Sequence, residues 1–235
     1  MKAVIIAAGM GGRLSNITNG MPKTLLEVNG KPIIQWIVDD LRLAGIETVI
    51  VVTGCESDRL QSYFENSPLD NLELIHNPQW RKGNGISVLI VEDFIGNDEV
   101  FILAMSDHLI DKNIFEHIVK EEKRYPLLAV ERNLGNVFDV PDATKVWVED
   151  KKIQSIGKQL PRYNGIDIGL FLLNGSFFQF LRKSIKEGRD TLTGGVQELM
   201  RNQDFHAYDI PDESFWIDID SEETYNVAIQ MWRSL

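Results

Sequence analysis

The chain has 235 residues, 43% hydrophobic and 25% charged, enough apolar material for a packed core in one large or two small domains. A formal net charge of −11 excludes a sequence-independent grip on nucleic acid or on an anionic membrane, and no stretch reaches the apolar length of a bilayer span. A single cysteine, Cys55, excludes an internal disulfide and fits a reducing, cytoplasmic setting.

The amino terminus, "MKAVIIAAGMGG", has the charge and apolar run of a signal peptide, but the run is too short and leads into glycines and arginine. It reads as a buried strand over 2–8. Short β-branched runs at 47–54, 72–77 and 99–107 then alternate with longer stretches at 31–45, 56–66 and 85–96. Leu60, Tyr63 and Phe64 fall at i, i+3 and i+4, the spacing of an amphipathic helix. This rhythm predicts a Rossmann-like α/β fold, a mixed, mostly parallel sheet with helices on both faces.

After residue 125 the texture changes. Strands are expected at 126–133, 144–158 and 165–174, the second folded into a hairpin about Glu149-Asp150-Lys151-Lys152. Helices at 175–187 and 192–202, a strand at 205–210, "FWIDID" at 215–220 and a helix at 221–233 close the chain. No linker, repeat or low-complexity segment interrupts it, so one domain over 1–235 is expected. Residues 1–125 would form one half of its sheet and 126–235 the other.

Four places could carry chemistry. The first is the loop after the opening strand, Ala7, Ala8, Gly9, Met10, Gly11, Gly12 and Arg13, followed by Pro22-Lys23. Its glycines allow close backbone approach and positive φ, so that successive N–H groups can point at the phosphates of a nucleotide. Arg13 adds a fork of donors and Lys23 a compact charge. The plain alternative is a glycine-rich connection with two surface cations. A dinucleotide-binding turn would need glycine where Leu14 stands and an acid where the second strand instead ends in Thr53-Gly54. A Walker loop would need a Gly-Lys-Ser/Thr sequence that is absent.

The second place is "AMSDH". Asp107 ends a buried strand, where α/β sheets bind ligands, and a carboxylate there suits Mg²⁺. It could equally cap the next helix, as could Asp111. His108 beside it reads as a supporting or structural histidine. The third is "FWIDID", where strand alternation puts Trp216, Asp218 and Asp220 on one face. These acids either reach solvent or hold a cation. The metal is assigned to Asp218, and capping of the last helix to Asp220-Ser221. Lys158 is the fourth, in a position usual for a solvated surface lysine. Gly83-Asn84-Gly85 and Ser87 are ambiguous as well: they either start a helix or leave room for a flat base.

Taken together, "AAGMGGRL…MPK", "LLEVNGKPII", "GNGISV", "MSDH", "QSIGKQL", "GIDIGLFLL" and "WIDID" resemble the nucleotidyltransferases that join a nucleoside triphosphate to a phosphorylated small molecule. The resemblance covers essentially the whole chain and implies the nucleotide-diphospho-sugar transferase type of fold. Gly12 stands where that family usually has threonine, and Gly157 where it usually has glutamate. By this resemblance the nucleotide would lie against residues 7–12, Thr53, Gly54, Gly83, Asn84, Gly85 and Ser87. Mg²⁺ would sit on Asp107 and Asp218, with Asp220 the alternative second ligand. Lys23 would bridge the α-phosphate and the acceptor phosphate, Arg13 would hold pyrophosphate, and Lys158 would steer the acceptor. Asp142, Thr144, Asp167 and Gly169 would line the acceptor site.

Within the family, "MSDH", "ATKVWVEDKKIQSIGKQL", "IDIGLFLL" and "FWIDID" are most similar to the inositol-1-phosphate cytidylyltransferases of heat-loving archaea and bacteria. That implies CTP and inositol 1-phosphate as substrates, CDP-inositol as product, and a place in osmolyte synthesis. It also implies coupling to a membrane enzyme that consumes the product, from which this chain would stand apart as a separate domain. The same chemistry on phosphocholine, an aminophosphonate or a sugar 1-phosphate is the alternative. A choline site would want an aromatic cage, for which Tyr125, Phe138, Trp147 and Tyr163 are candidates; inositol would want hydroxyl partners such as Asp139, Asp142, Thr144 and Asp167. A nucleotide sensor with a dead site is the rival of a different class, and keeping Arg13, Lys23, Asp107 and Asp218 together argues against it.

Overall fold

The computed structural model describes residues 1–18, 20–67, 69–121 and 124–232. The first half runs β1 (Lys2–Ala7), α1 (Ser15–Thr18), β2 (Glu27–Val28), β3 (Lys31–Pro32), α2 (Ile33–Leu43), β4 (Thr48–Thr53), α3 (Ser57–Asn66), β5 (Leu72–His76), α4 (Asn84–Leu89) and β6 (Val100–Met105). Then follow β7 (His108–Ile110), α5 (Lys112–Lys120), β8 (Leu127–Glu131), β9 (Lys145–Glu149), β10 (Lys152–Gly157) and β11 (Gly165–Asn174). The chain continues through α6 (Phe177–Lys186), α7 (Leu192–Met200), β12 (His206–Asp209), β13 (Trp216–Asp218) and α8 (Glu222–Trp232).

Nine of these strands form one sheet among the described residues, in the order β5-β4-β1-β6-β11-β8-β12-β10-β9. The pairings β5–β4–β1–β6 are parallel, as crossovers through helices require. Strand β11 then joins β6 and β8 antiparallel, stitching the second half onto the first. Alternation along β1 supplies both faces: Ala3, Ile5 and Ala7 enter one apolar core, Val4 and Ile6 the other. A fully buried strand is therefore an almost unbroken apolar run, and β1, β4 and β6 all are.

Helix α2 follows Pro32, whose ring presets φ before the first turn, and its end is followed by Gly45 at φ +92. Ile33, Ile34, Ile37, Val38 and Leu41 form its buried stripe. Asp150 and Lys151 both take positive φ and close the β9–β10 hairpin opposite the pair Glu149 and Lys152.

Several expected elements differ in detail. The stretch 85–96 is not one helix: α4 stops at Leu89, and bonding tightens to i→i+3 at Val91 and Phe94 as a short 3₁₀ turn follows. The strand at 99–107 stops at Met105, after which β7 leaves the sheet. "FWIDID" does not join the main sheet either; β13 pairs antiparallel with β7 as a separate ribbon. The last helix reaches Trp232, and Arg233 of the expected 221–233 lies outside the described residues.

Candidate active site

The C-terminal ends of β1 and β6 open onto two adjoining cavities. One, about 210 Å³, is lined by Ala7, Ala8, Gly9, Gly11, Lys23, Trp80, Lys82, Asn84, Ser87 and Asp107. The other, about 220 Å³, is lined by Asp107, His108, Phe138, Asp139, Asp142, Thr144, Lys158, Asp167, Gly169, Trp216, Asp218 and Asp220. They share Asn84, Met105 and Asp107. A recess on the far side of Lys23 is lined by Gly11, Gly12, Arg13 and Asp220.

Gly11 holds the loop to Lys23. Its φ is +62, and a β-carbon there would lie 2.8 Å from the Lys23 β-carbon. Leu14, the residue that breaks the dinucleotide pattern, is buried and anchors the far side of the loop in the core. Thr53 and Gly54 line neither cavity. Gly54 is packed instead, since a β-carbon would meet Trp80 and the Ala8 carbonyl below 3 Å, and it thereby seats Trp80 at the mouth of the first cavity. Met10 is exposed outside both cavities.

Gly83 is the residue from which α4 starts, as the helix-start reading expected, and the two glycines carry a packing task as well. A β-carbon on either would collide with the backbone at Asp190, and the N–H groups of Gly83 and Gly85 donate to Asp190 Oδ2 (2.9 Å) and Asp190 O (3.0 Å). Asn84 Oδ1 accepts from the Leu192 N–H at 2.8 Å. The glycines thus dock α4 on the start of α7, leaving Asn84 and Ser87 facing the cavity.

The charged centre is a chain of alternating signs. Lys23 Nζ lies 2.8 Å from Asp107 Oδ2 and also contacts Asp220. Arg13 pairs with Asp220 and, at 2.8 Å, with Asp142 Oδ2; the other Asp142 oxygen takes Lys158 Nζ at 2.8 Å. Burial disfavours the Lys23 ammonium, but Asp107, Asp220 and Asp218 outweigh it and hold its pKa above the ordinary value. Burial likewise opposes the Asp107 carboxylate, which Lys23 and His108 nonetheless keep well below the usual range. Burial pushes Asp218 up, His108 pulls it partly back, and Asp107 and Asp220 push it further.

Asp107 caps no helix; Asp111 takes the α5 cap, accepting from the Asn113 N–H at 2.9 Å. Asp220 does not cap α8 either. Ser221 Oγ accepts from the Thr224 N–H at 3.1 Å, and Thr224 Oγ1 accepts from the N–H groups of Asp220 and Ser221. The Asp220 carboxylate is thereby left to the cations. Asp107 Oδ1 and Asp218 Oδ1 are buried without hydrogen-bond partners, a pair of hard oxygens that fits Mg²⁺.

On the acceptor side, β11 carries an irregularity between Asp167 and Phe171, with Gly169 at φ +74. Asp167 Oδ1 accepts from the Gly169 N–H at 2.7 Å, and burial raises its pKa to about 6 despite that bond. Thr144 binds Asp167 through the backbone, its carbonyl accepting from the Asp167 N–H at 2.9 Å. No four-aromatic cage forms: of Tyr125, Phe138, Trp147 and Tyr163 only Phe138 lines the cavity. Trp147 lies beneath Arg162, 3.7 Å from ring centroid to guanidinium.

The sequence reading missed Trp80, Lys82 and Trp216 as lining residues. Trp216 Nε1–H donates to the buried Glu131, which also accepts from the Asn133 N–H at 2.6 Å and so ties down the 133–138 loop beside the cavity. An acid ending the apolar run "LLAVE" was the available signal.

Residues 3–140 match the family of MobA-like NTP transferase domains. The bifunctional IPC transferase and DIPP synthase of Aquifex aeolicus (strain VF5) is 31% identical over 226 residues, 96% of this chain and 50% of that protein. The chain spans about half the length of the curated relatives it matches. The inositol-1-phosphate CTP transferase from T. maritima superposes with a TM-score of 0.85 at 21% identity, over 100% of this chain and 97% of that one. A UDP-glucose pyrophosphorylase complexed with UDP-glucose superposes with a TM-score of 0.83 at 23% identity, over 99% and 98%. Both solved structures share the fold. No helix among the described residues is long and apolar enough to cross a membrane. With the family match covering more than half of its length, the chain belongs to the MobA-like NTP transferase domain family of nucleotidyltransferases.

Proposed function

We propose that the domain is a cytidylyltransferase that converts CTP and myo-inositol 1-phosphate to CDP-inositol and pyrophosphate. The observation that carries this reading is the meeting of the two cavities at Asp107, with the Lys23 ammonium 2.8 Å from it. Two anionic substrates bound in adjoining clefts would bring their phosphates to one buried cation. The names of the Aquifex relative and of the T. maritima structure support cytidine and inositol phosphate over other pairs.

In the reaction an acceptor phosphate oxygen bonds to the α-phosphorus of CTP while the bond to the β-phosphate oxygen breaks, and pyrophosphate leaves with the electron pair. The nucleophile is already an anion, so no general base is needed. The protein's work is alignment and charge stabilisation. Lys23 sits between the α-phosphate and the acceptor phosphate, exchanging Asp107 and Asp220 for phosphate oxygens. Arg13 and the N–H groups of the 9–12 loop hold the departing pyrophosphate. Lys158, at the rim of the acceptor cavity, draws in the acceptor phosphate, and Asp142, Thr144 and Asp167 face its hydroxyls. Asp107 and Asp218 would hold Mg²⁺, which supplies charge neutralisation for the reacting phosphates. Consumption of CDP-inositol by a membrane-embedded enzyme activity, in a reducing cytoplasm, completes the proposal.

The test is a panel of pyrophosphate-release assays with CTP or UTP, Mg²⁺ and one acceptor at a time, products identified by mass. CDP-inositol from CTP and inositol 1-phosphate alone is the expected result. Product with a sugar phosphate or phosphocholine overturns the acceptor and keeps the chemistry. No product with any acceptor, while CTP still binds, overturns the enzyme reading in favour of a sensor.

A further inference from the structure

We infer that the cation site has three protein ligands, His108 joining Asp107 and Asp218, and that the imidazole gives it a preference for a first-row transition ion such as Mn²⁺ over Mg²⁺. The inference rests on the reading that those two carboxylates hold a divalent cation.

Asp107, His108 and Asp218 each bring one ligand atom to a common spot, all within 4.8 Å of one another. Three buried atoms here lack hydrogen-bond partners: Asp107 Oδ1, His108 Nδ1 and Asp218 Oδ1. Lys23 consumes only the other Asp107 oxygen. A polar atom buried without a partner is costly, and a shared cation would supply one to each of the three residues. His108 Nδ1 and Asp107 Oδ1 stand 3.2 Å apart as a charge contact without the alignment of a hydrogen bond, and His108 Nε2 lies 3.7 Å from Asp218 Oδ2. Adjacent ligands on one ion with bonds of about 2.1 Å would stand about 3 Å apart.

The backbone sets this up. In the β7–β13 ribbon His108 and Asp218 are directly opposed cross-strand partners, and Asp107 immediately precedes β7. The ring is held by packing: Trp216 lies 6.0 Å away between centroids, and Gly169 packs close to the Nδ1 edge with no β-carbon to overlap it. Mg²⁺ favours oxygen ligands and water, whereas an imidazole nitrogen suits the later divalent ions. A site of two carboxylates alone would show no such preference from nitrogen.

The experiment titrates the metal-free full chain with Mn²⁺, without nucleotide, following free Mn²⁺ by electron paramagnetic resonance and then adding Mg²⁺ as competitor. Pulsed spectra of the bound ion are examined for nitrogen modulation. The expected result is nitrogen modulation in the wild type, displacement only by a large excess of Mg²⁺, and loss of the modulation in His108→Ala. Affinity in that variant should fall by at least the 10–100-fold that loss of an outer partner costs. Bound Mn²⁺ without nitrogen modulation in the wild type overturns the inference even if both His108→Ala and His108→Asn fail to fold, and it leaves the two-carboxylate reading standing. No binding of either ion overturns both.

Discussion

Gly169 lies directly against His108: a β-carbon at position 169 would fall 2.7 Å from His108 Nδ1 and 2.9 Å from Met105 Cγ. Its φ of +74 also belongs to the left-handed region. Gly169→Ala should therefore combine about 1–2 kcal/mol of backbone strain with about 1–3 kcal/mol of overpacking. A fall in denaturation midpoint with the slope unchanged is the expected readout, accompanied by a shifted His108 ring resonance. An alanine variant as stable as the parent would show that the loop relaxes freely.

Lys23→Ala should lower kcat at least about 10²–10³-fold, the scale of losing one transition-state charge stabiliser. The Michaelis constant for CTP should move only a few-fold, because Arg13 and the loop amides remain. Steady-state kinetics separates the two. Parallel changes in both would reduce Lys23 to a binding residue.

Asp142 holds Arg13 and Lys158 on its two oxygens, yet these cations are about half exposed, at 53% and 55%. Such pairs contribute roughly 0–1 kcal/mol each. Asp142→Ala should thus leave thermal stability within about 1 kcal/mol of the parent while raising the acceptor Michaelis constant. A variant with both unchanged would make Asp142 a tether between loops and not an acceptor residue.

Asp40 on α2 carries a carboxyl whose burial raises its pKa to about 7; Lys31 pulls it down only in part, and Asp39 adds to the rise. An unfolded chain releases this proton near pH 4. Between about pH 4 and pH 7 the folded state holds the extra proton, so stability attributable to Asp40 falls as pH rises through that window. Asp40→Asn should gain on the parent by on the order of 2 kcal/mol between pH 5 and pH 8. Urea denaturation at the two pH values measures this, and an equal offset at both would mean that Asp40 is ionised throughout.

Much of the fold was legible because its cause is local. The unbroken apolar runs of β1, β4 and β6 mark strands buried on both faces, and the α2 and α3 stripes follow helical spacing. The β9–β10 hairpin was readable from a polar four-residue turn between two apolar alternations. Gly-x-Gly-Gly-Arg after β1 and Asp107 after β6 stand at strand ends, where parallel sheets open their clefts.

What local sequence could not specify was which polar group meets which. Asp218 and Asp220 alternate alike in "FWIDID", but only the β7–β13 ribbon sets Asp218 opposite His108, and only Ser221 capping α8 frees Asp220 for Lys23 and Arg13. Gly83 and Gly85 read as a helix start or as room for a flat base, and only the fold shows that Asp190, over 100 residues away, packs on them. Side-chain pairing energies of this kind depend on distances of a few ångströms between segments far apart in the chain. Local patterning specifies the strands, their order of appearance and the carboxylates and cations available; their partners are chosen in folding, because electrostatic and steric complementarity exists only once those segments are brought together.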